Sequence, residues 1–493
     1  MSSNEEYRLS SLTRRPQHHF REASPMNRAV PLILAVALFM EQMDSTVIAT
    51  ALPTIAADLN VGPITLKLAL TSYMVALAVF IPISGWMADK FGAKKVFRSA
   101  ILVFIIGSIL CAISGNLIEF VMARFLQGMG GAMMTPVGRL VLLRTTKRSD
   151  LVSAMALLTI PALVGPLTGP PIGGFITTYF SWHWIFIINV PVGILGLIMT
   201  GIYLPEIEKR ESPRIDFLGF LLTAFAAAGV VFGLSVIGLP ALPPAVGISA
   251  TLVGIACAIA YVYHARRHPF PILNLRIFEN AAFRAATIGG TIFRISTGAI
   301  PFLMPLMLQL AFGLNPFQSG LITFAGAGGA LTVKFIAKRV YRAIGFKTTL
   351  ICAGCVGAVT TVVNGFFTPQ TPHMAIILFL FISGLARSFF FTGANALSYS
   401  EIEDSQASQA TSMSSVLQQV SLALGVAFAA SILEAASAIS GTHLQLADFH
   451  LAFYAVSIMS LLAIIPLLPL DKYAGSVASG HGLPLQAKPA PGE

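Results

Sequence analysis

Asp44 stands in an apolar run that begins near Val30, and Glu41 lies three residues earlier on the same helical face. An ionisable side chain deep in such a run costs several kcal/mol unless it is paired or hydrated, so each one is a candidate for function. Arg124 occupies a second run that starts near Leu117. With the two runs threaded in opposite senses through an apolar layer about 30 Å thick, at about 1.5 Å per residue, Asp44 lies about 21 Å and Arg124 about 20 Å from the same face. Equal depth allows contact. Two carboxylates one turn apart, facing a permanent cation in low dielectric, form a place where a proton can be loaded and released while the arginine changes partners. The plainer alternative is a static pair that fixes one helix to another.

A second set is basic. Arg294 and Arg387 fall about 16 Å and about 12 Å from that face. Across a central cavity from two acids they could bind an anionic or zwitterionic solute, or they could pair with helix ends and backbone carbonyls. Lys334 comes out at the inner boundary, where a lysine snorkels. Gln309, Asn395 and Gln418 are polar groups within apolar runs and candidate cavity contacts, and Met304, Met307 and Phe389 to Phe391 could supply a greasy, adaptable wall.

Such residues need membrane helices to position them. A chain of 493 residues would ordinarily make about three soluble domains. Here charged residues are only 11% and hydrophobic ones 55%, and the mean hydropathy is +0.79. That excludes a soluble multidomain enzyme. Fourteen runs of about 20 apolar residues can be read, from Val30–Ile55 to Phe449–Leu470. An even number places both ends on one side. With the first segment inside, 25 basic residues fall in inner segments and Lys67 alone falls outside, which is the bias of a cytoplasmic face. The net charge of +10 is therefore a topology signal, and nucleic acid drops out as a partner. The stretch to Met26 lacks the apolar core of a signal peptide, and residues 473–493, rich in Gly, Ser, Ala and Pro, read as a disordered tail. Cys111, Cys257, Cys352 and Cys355 all lie inside apolar runs and read as buried small residues rather than disulfide or metal ligands.

Two glycine patterns stand out. Gly85, Asp89, Lys90, Gly92, Lys94 and Lys95 follow the second run, where Gly85 permits close helix approach, Gly92 a turn, and Asp89 is an anion in a basic cluster. Gly165, Pro166, Gly169, Pro170, Gly173 and Gly174 lie in the fifth, where glycines four apart make a flat face and prolines bend the helix. The first resembles the signature loop of the major facilitator superfamily, and the second resembles the antiporter motif of its exporting members. Met43 to Pro53 and Arg124 to Ala132 are similar to drug/proton antiporters. Trp182 to Pro191 and Arg214 to Gly219 resemble the fourteen-helix EmrB and QacA type, and Trp182-His183-Trp184 with the tract Ile300 to Pro305 is similar to its bacterial MdtD-like and HsrA-like members.

That resemblance implies an all-α polytopic membrane protein with the major facilitator fold and 14 transmembrane helices. The expected plan is a cytoplasmic tail over 1–27, a six-helix bundle over 28–206, two additional helices over 207–268, a pseudo-symmetric bundle over 269–472, and a tail over 473–493. The glycine-aspartate loop is degenerate in the second bundle: aligning Gly345 with Gly92 puts Arg342 at the aspartate and Lys338 at the first glycine. The resemblance also implies a monomer in a bacterial inner membrane, with both termini cytoplasmic, exporting small amphipathic solutes against protons by alternating access. Asp44 and Arg124, with Glu41, would be the proton-coupling centre, and in the outward-open state, with the cytoplasmic side closed, Asp89 would approach the start of the thirteenth helix near Ser408 to Thr411. No phosphate-binding glycine loop is present, so the proton gradient is the energy source, and neither cofactor nor metal is expected. The rivals are a proton-linked importer or anionic-metabolite transporter on the same fold, and a membrane-embedded transferase, against which the nine scattered histidines argue.

Overall fold

The computed structural model describes residues 29–146, 151–206, 215–237, 243–402, 406–440 and 444–481, among which there is no strand. The first bundle contains α1 (Ala29–Asp58), α2 (Lys67–Phe91), α3 (Ala93–Ile113), α4 (Leu117–Thr145), α5 (Leu151–Tyr179) and α6 (Trp184–Tyr203). Then come α7 (Phe217–Val236) and α8 (Pro244–Arg267). The second bundle contains α9 (Ala281–Ala311), α10 and α11 within Pro316–Asn364, α12 (His373–Ser400), α13 (Ala407–Ser440) and α14 (Leu446–Leu462). Asn116, Asp216, Asn280 and Asn315 each accept a bond from the amide three residues on, which starts α4, α7, α9 and α10.

Helix α10 (316–344) passes into α11 (346–364) through Gly345, whose φ of +77° is not helical. Gly92, between α2 and α3, has φ +95°. Both turns need a left-handed residue, which glycine supplies without strain. The two glycines therefore do the same work in the two halves, although the residues before Gly345 have lost the aspartate.

Packing repeats with an offset of eight helices. The pairs α1 on α5, α2 on α4 and α3 on α6 recur as α9 on α13, α10 on α12 and α11 on α14. Helices α7 and α8 pack on each other, and α7 bridges α2 and α13 at the side of the molecule, with Val75, Val231 and Ala423 in one small core.

The ends differ. At one, here the basic end, lie the turns carrying Lys90, Lys94, Lys95, Arg266, Arg267, Lys338 and Arg342. There each bundle has its own core, around Phe97 and Met134 in the first and Phe293 and Phe390 in the second. At the far end one core takes residues from both, including Ile55, Phe120, Phe302 and Phe453. The bundles are joined at the far end and separate at the basic end.

Two expectations change. The chain beyond Leu470 is ordered as far as His481: Ser476–Ser479 form a helical turn, the Gly475 amide donates to Glu401 Oε1, and the His481 ring meets the Arg342 carbonyl at 3.0 Å. The expected tail 1–27 and residues 482–493 lie outside the described residues. Of the four free cysteines only Cys111 is buried; Cys352 and Cys355 point outward from α11, because their side of that helix has no protein neighbour.

Candidate functional site

Five helices of the first bundle converge on Asp44, which is 1% exposed. Arg124 Nη1 of α4 donates to Asp44 Oδ2 at 2.7 Å and to Gln127 Oε1 at 2.5 Å. Asp44 Oδ1 accepts from Gln127 Nε2 at 2.9 Å and from Asn189 Nδ2 of α6 at 2.7 Å. Ser108 of α3 accepts from Gln127 at 2.8 Å, and the ring of Tyr73 of α2 lies 4.3 Å from the Arg124 guanidinium. A fully desolvated arginine is thus held by one carboxylate, one amide and one aromatic face. Arg124 Nε, the Tyr73 hydroxyl and Asn189 Oδ1 have no partner. Those three polar atoms are available to a second arrangement of the same side chains.

Glu41 is also buried and faces α4 one turn nearer the basic end, accepting from Thr135 Oγ1 and Gln42 Nε2, each at 3.0 Å. Depth arithmetic places Asp44 beside Arg124, and the structure brings them together. Depth alone does not reveal Gln127 and Asn189 as the other ligands of Asp44. Gln127 could have been found, being three residues after Arg124 and hence on its face.

The antiporter-type glycines pack in two directions. A side chain at Gly165 would meet the α1 backbone at Met43 at 3.0 Å, and one at Gly169 or Gly173 would collide with Thr46 or the Val47 carbonyl. One at Gly174 would collide with the Pro316 carbonyl of the other bundle, and Gly320 faces the Pro170 carbonyl in return. Pro166 and Pro170 line the space between the bundles. The far end is further closed by Gln309 Nε2 on the Thr50 carbonyl at 2.9 Å, by the Phe317 amide on Thr178 Oγ1 at 3.0 Å, and by Lys67 Nζ on Glu434 Oε1 at 2.8 Å. Lys67, alone among bases on the outer side of the sequence topology, is therefore a buried cross-bundle ion pair rather than a loop charge.

Between the bundles lies a cavity of about 550 Å³. Thr46 and Thr50 of α1 and Met304 of α9 line it, with Lys334 of α10 and Arg387 and Asn395 of α12. Arg387 and Asn395 are in the wall as placed from the sequence. Arg294 sits behind it, donating to Asn395 Oδ1 at 3.2 Å and stacking 4.9 Å from the Phe391 ring. Gln309 is drawn away to the α1 backbone, and Gln418 is exposed on α13 outside the lining. Lys334 does not snorkel outward: it lines the cavity and donates to Thr392 Oγ1 at 2.9 Å. Depth gives height along a helix, not direction around it.

In the basic-end loop, in an arrangement with that end open, Asp89 accepts from Arg144 Nη2 at 2.5 Å, a contact with α4 of its own bundle. Lys90 lies 4.6 Å from the Trp86 ring, Lys94 is 3.8 Å from Glu206, and Lys95 is exposed. A side chain at Gly85 would meet nothing within 4 Å. The close approach expected there is missing because the bundles stand apart at that end.

Among the described residues one histidine and carboxylate cluster has metal-like spacing, formed by Asp216, His264 and His268. Hydrogen bonds account for it. Asp216 takes the Gly219 amide at 2.8 Å, His264 Nε2 at 2.7 Å and the Ile272 amide at 3.3 Å, while His268 Nδ1 takes the Phe270 amide at 3.2 Å. The cluster clamps the start of α7 to the end of α8 and to the chain leading into α9.

Two like-patterned bundles, joined at one end around a central cavity, are the architecture of a membrane transport protein. The profile of the Major Facilitator Superfamily matches residues 34–275 and 286–488, and the chain belongs to that superfamily. It is 37% identical over 401 residues to a protein of Pectobacterium carotovorum named MdtD, for multidrug resistance, covering 81% of this chain and 86% of that one. It is 36% identical over 406 residues to HsrA of Haemophilus influenzae, named as a transport protein, covering 82% and 88%. Among solved structures a D-xylose–proton symporter superposes with a TM-score of 0.66 at 15% identity, over 91% of this chain and 98% of that one, a likeness of fold alone.

Proposed function

We propose that this transporter is a proton-coupled exporter of small amphipathic solutes in a bacterial inner membrane, with the basic end in the cytoplasm. The observation that carries the reading is the Asp44–Arg124 pair, fully buried yet with Arg124 Nε unpartnered, on a helix whose Thr46 and Thr50 line a solute-sized cavity. With the bundles joined at the far end, solute enters the cavity from the cytoplasm while Asp44 is a carboxylate held by Arg124. Rocking of the bundles about the cavity exposes it outward. A proton arriving from outside on Asp44 neutralises the partner of Arg124, which then turns to the Tyr73 hydroxyl or Asn189 Oδ1. Return to the inward arrangement releases the proton through the Glu41 side, and Arg124 recaptures Asp44. The protein's own contribution is to hold one proton and to make each arrangement favour a different charge state. Neither a cofactor nor a metal takes part, and no second chain is needed for the cavity. Supporting export rather than import is the resemblance of the Gly165–Gly174 pattern to the antiporter motif of exporting facilitators, a pattern that packs on α1, the helix that carries both acids.

The test is uptake of a panel of amphipathic fluorescent dyes into inverted vesicles at two imposed proton gradients. Gradient-dependent uptake is expected with the intact protein and not with Asp44→Asn. Equal rates for the two proteins would overturn the coupling role.

A further inference from the structure

The cavity is charged in one sense only. Among the described residues its lining contains two ionic side chains, Lys334 and Arg387, both cationic and both on the α10–α12 wall of the second bundle, and no carboxylate. Arg387 has neither a hydrogen-bond nor an ion-pair partner among the described residues. Lys334 has only the neutral Thr392 hydroxyl. Behind them Arg294 adds a third positive charge and fixes Asn395 and Phe391 in the wall. The acids that would balance these charges are elsewhere: Asp44 is saturated by Arg124, Gln127 and Asn189, and Glu41 and Asp44 are both outside the lining. The rest of the wall is apolar or hydroxylic, including Ile300, Met304, Leu380 and Phe391.

An uncompensated guanidinium inside a membrane protein is costly, and a bound anion removes that cost. Its planar fork suits the two oxygens of a carboxylate, sulfonate or phosphate, and the lysine adds a point charge alongside. A cationic solute would meet two like charges in a site with no acid to answer them. We infer that the transported solute is an organic anion: an acidic head held by Arg387 and Lys334, and an apolar body lying along α9 and α12. The inference rests on the central cavity being the transport site proposed above. It also fits the energetics of that reading. Exchanging a monoanion outward for a proton inward moves charge, on both legs, in the direction an inside-negative potential favours.

The experiment measures binding of three probes of one shape, naphthalene-2-sulfonate, 2-naphthol and 2-naphthylmethylammonium, to the purified full chain by titration calorimetry at pH 7. The sulfonate is expected to bind at least about tenfold more tightly than the ammonium probe. In Arg387→Gln/Lys334→Gln the sulfonate should lose about tenfold or more, while the neutral naphthol keeps its affinity and reports an intact cavity. Equal or tighter binding of the ammonium probe, or an undiminished sulfonate preference in the double variant, would overturn the inference. If the variant does not fold, the ranking of the three probes by the unaltered protein still decides. Binding needs no gradient, so a failure of proton-driven export would leave a sulfonate preference standing. A preference for the cation would likewise leave the role of Asp44 untouched.

Discussion

Asn189 Nδ2 stands 2.7 Å from Asp44 Oδ1, so the acid that meets Arg124 through one oxygen is held through the other by a side chain of α6. A hydrogen bond to a charged group contributes about 1.5–3 kcal/mol, and both partners here are buried. Asn189→Ala should lower stability by about 2 kcal/mol, read as a lower melting temperature in detergent, and should slow gradient-driven flux. An unchanged melting temperature would mean that Gln127 alone suffices to hold that oxygen.

Removing one member of the buried pair is a harsher change. Asp44→Ala leaves a 0% exposed arginine with Gln127 and the Tyr73 and Phe186 rings but no countercharge, for which about 3–5 kcal/mol of destabilisation is expected. Asp44→Ala with Arg124→Met should recover part of that loss, because no unpaired charge remains. The measurement is a double-mutant cycle from denaturant unfolding. Simple additivity of the two changes would show that the residues do not act as a pair.

The helices were legible because hydropathy and the basic bias report length and side, and the Asp44–Arg124 pairing was legible because both depths could be computed. What could not be read was direction around a helix. Arg294 and Arg387 have similar depths, yet one lies behind the cavity wall and the other in it, since Arg294 is turned toward Asn395 by the packing of α9 on α12. Gln309 was misplaced for another reason: it falls in a π-helical turn, Met307–Ala311, just after Pro301 and Pro305, and a regular helix would not carry it to Thr50. Depth counted from a flat membrane puts Lys334 at the boundary, whereas the separated bundles let the cavity reach it.

Lys67 and Glu434 connect the bundles at the far end, with Lys67 fully buried and Glu434 12% exposed. Glu434→Gln keeps the shape and removes the countercharge, so the joined far end is left with a buried unpaired ammonium. The arrangement that opens this end should gain population, seen as faster labelling of a cysteine placed at Thr50 by a membrane-impermeant thiol reagent. Exchanging the charges, Lys67→Glu with Glu434→Lys, should slow labelling again. Labelling unaffected by Glu434→Gln would show that the apolar far-end core alone sets the closure.

The Asp216 clamp carries a pH prediction with a definite sign. Burial alone would raise the Asp216 carboxyl, but the Gly219 amide, His264 and the Ile272 amide together outweigh it and hold the group below its usual range. A depressed carboxyl contributes stability above its unfolded value, near 3.9, and loses it only as pH falls through the folded value. Asp216→Ala should therefore lower the melting temperature through loss of a helix cap, by about 1 kcal/mol, with the same difference from pH 5 to pH 8 as far as this carboxyl is concerned. The gap between variant and parent should close only in more acidic solution. A gap that stays unchanged as the pH falls well below about 3.9 would contradict the assignment.

The two glycine motifs respond differently to the same substitution, and the difference follows from which end of the molecule is closed. An added methyl at Gly174 has nowhere to go: it collides with the Pro316 carbonyl and comes within 2.9 Å of Phe317 Cα, and backbone atoms do not yield as a side-chain tip does. The rings of Phe175, Tyr179 and Phe317 pack around the same contact, so α5 and α10 cannot slide past each other locally. Gly174→Ala should push these helices apart, weaken the far-end seal, and reduce flux at least about tenfold, as small-residue contacts between membrane helices depend on close backbone approach. Gly85→Ala meets empty space in this arrangement and should leave the far-end spacing unchanged. Spin labels on the far ends of α5 and α10, read by electron–electron double resonance, give the spacing directly. A longer distance is expected for Gly174→Ala and the parental one for Gly85→Ala, and identical distances for all three proteins would remove the glycine stripe from the sealing mechanism.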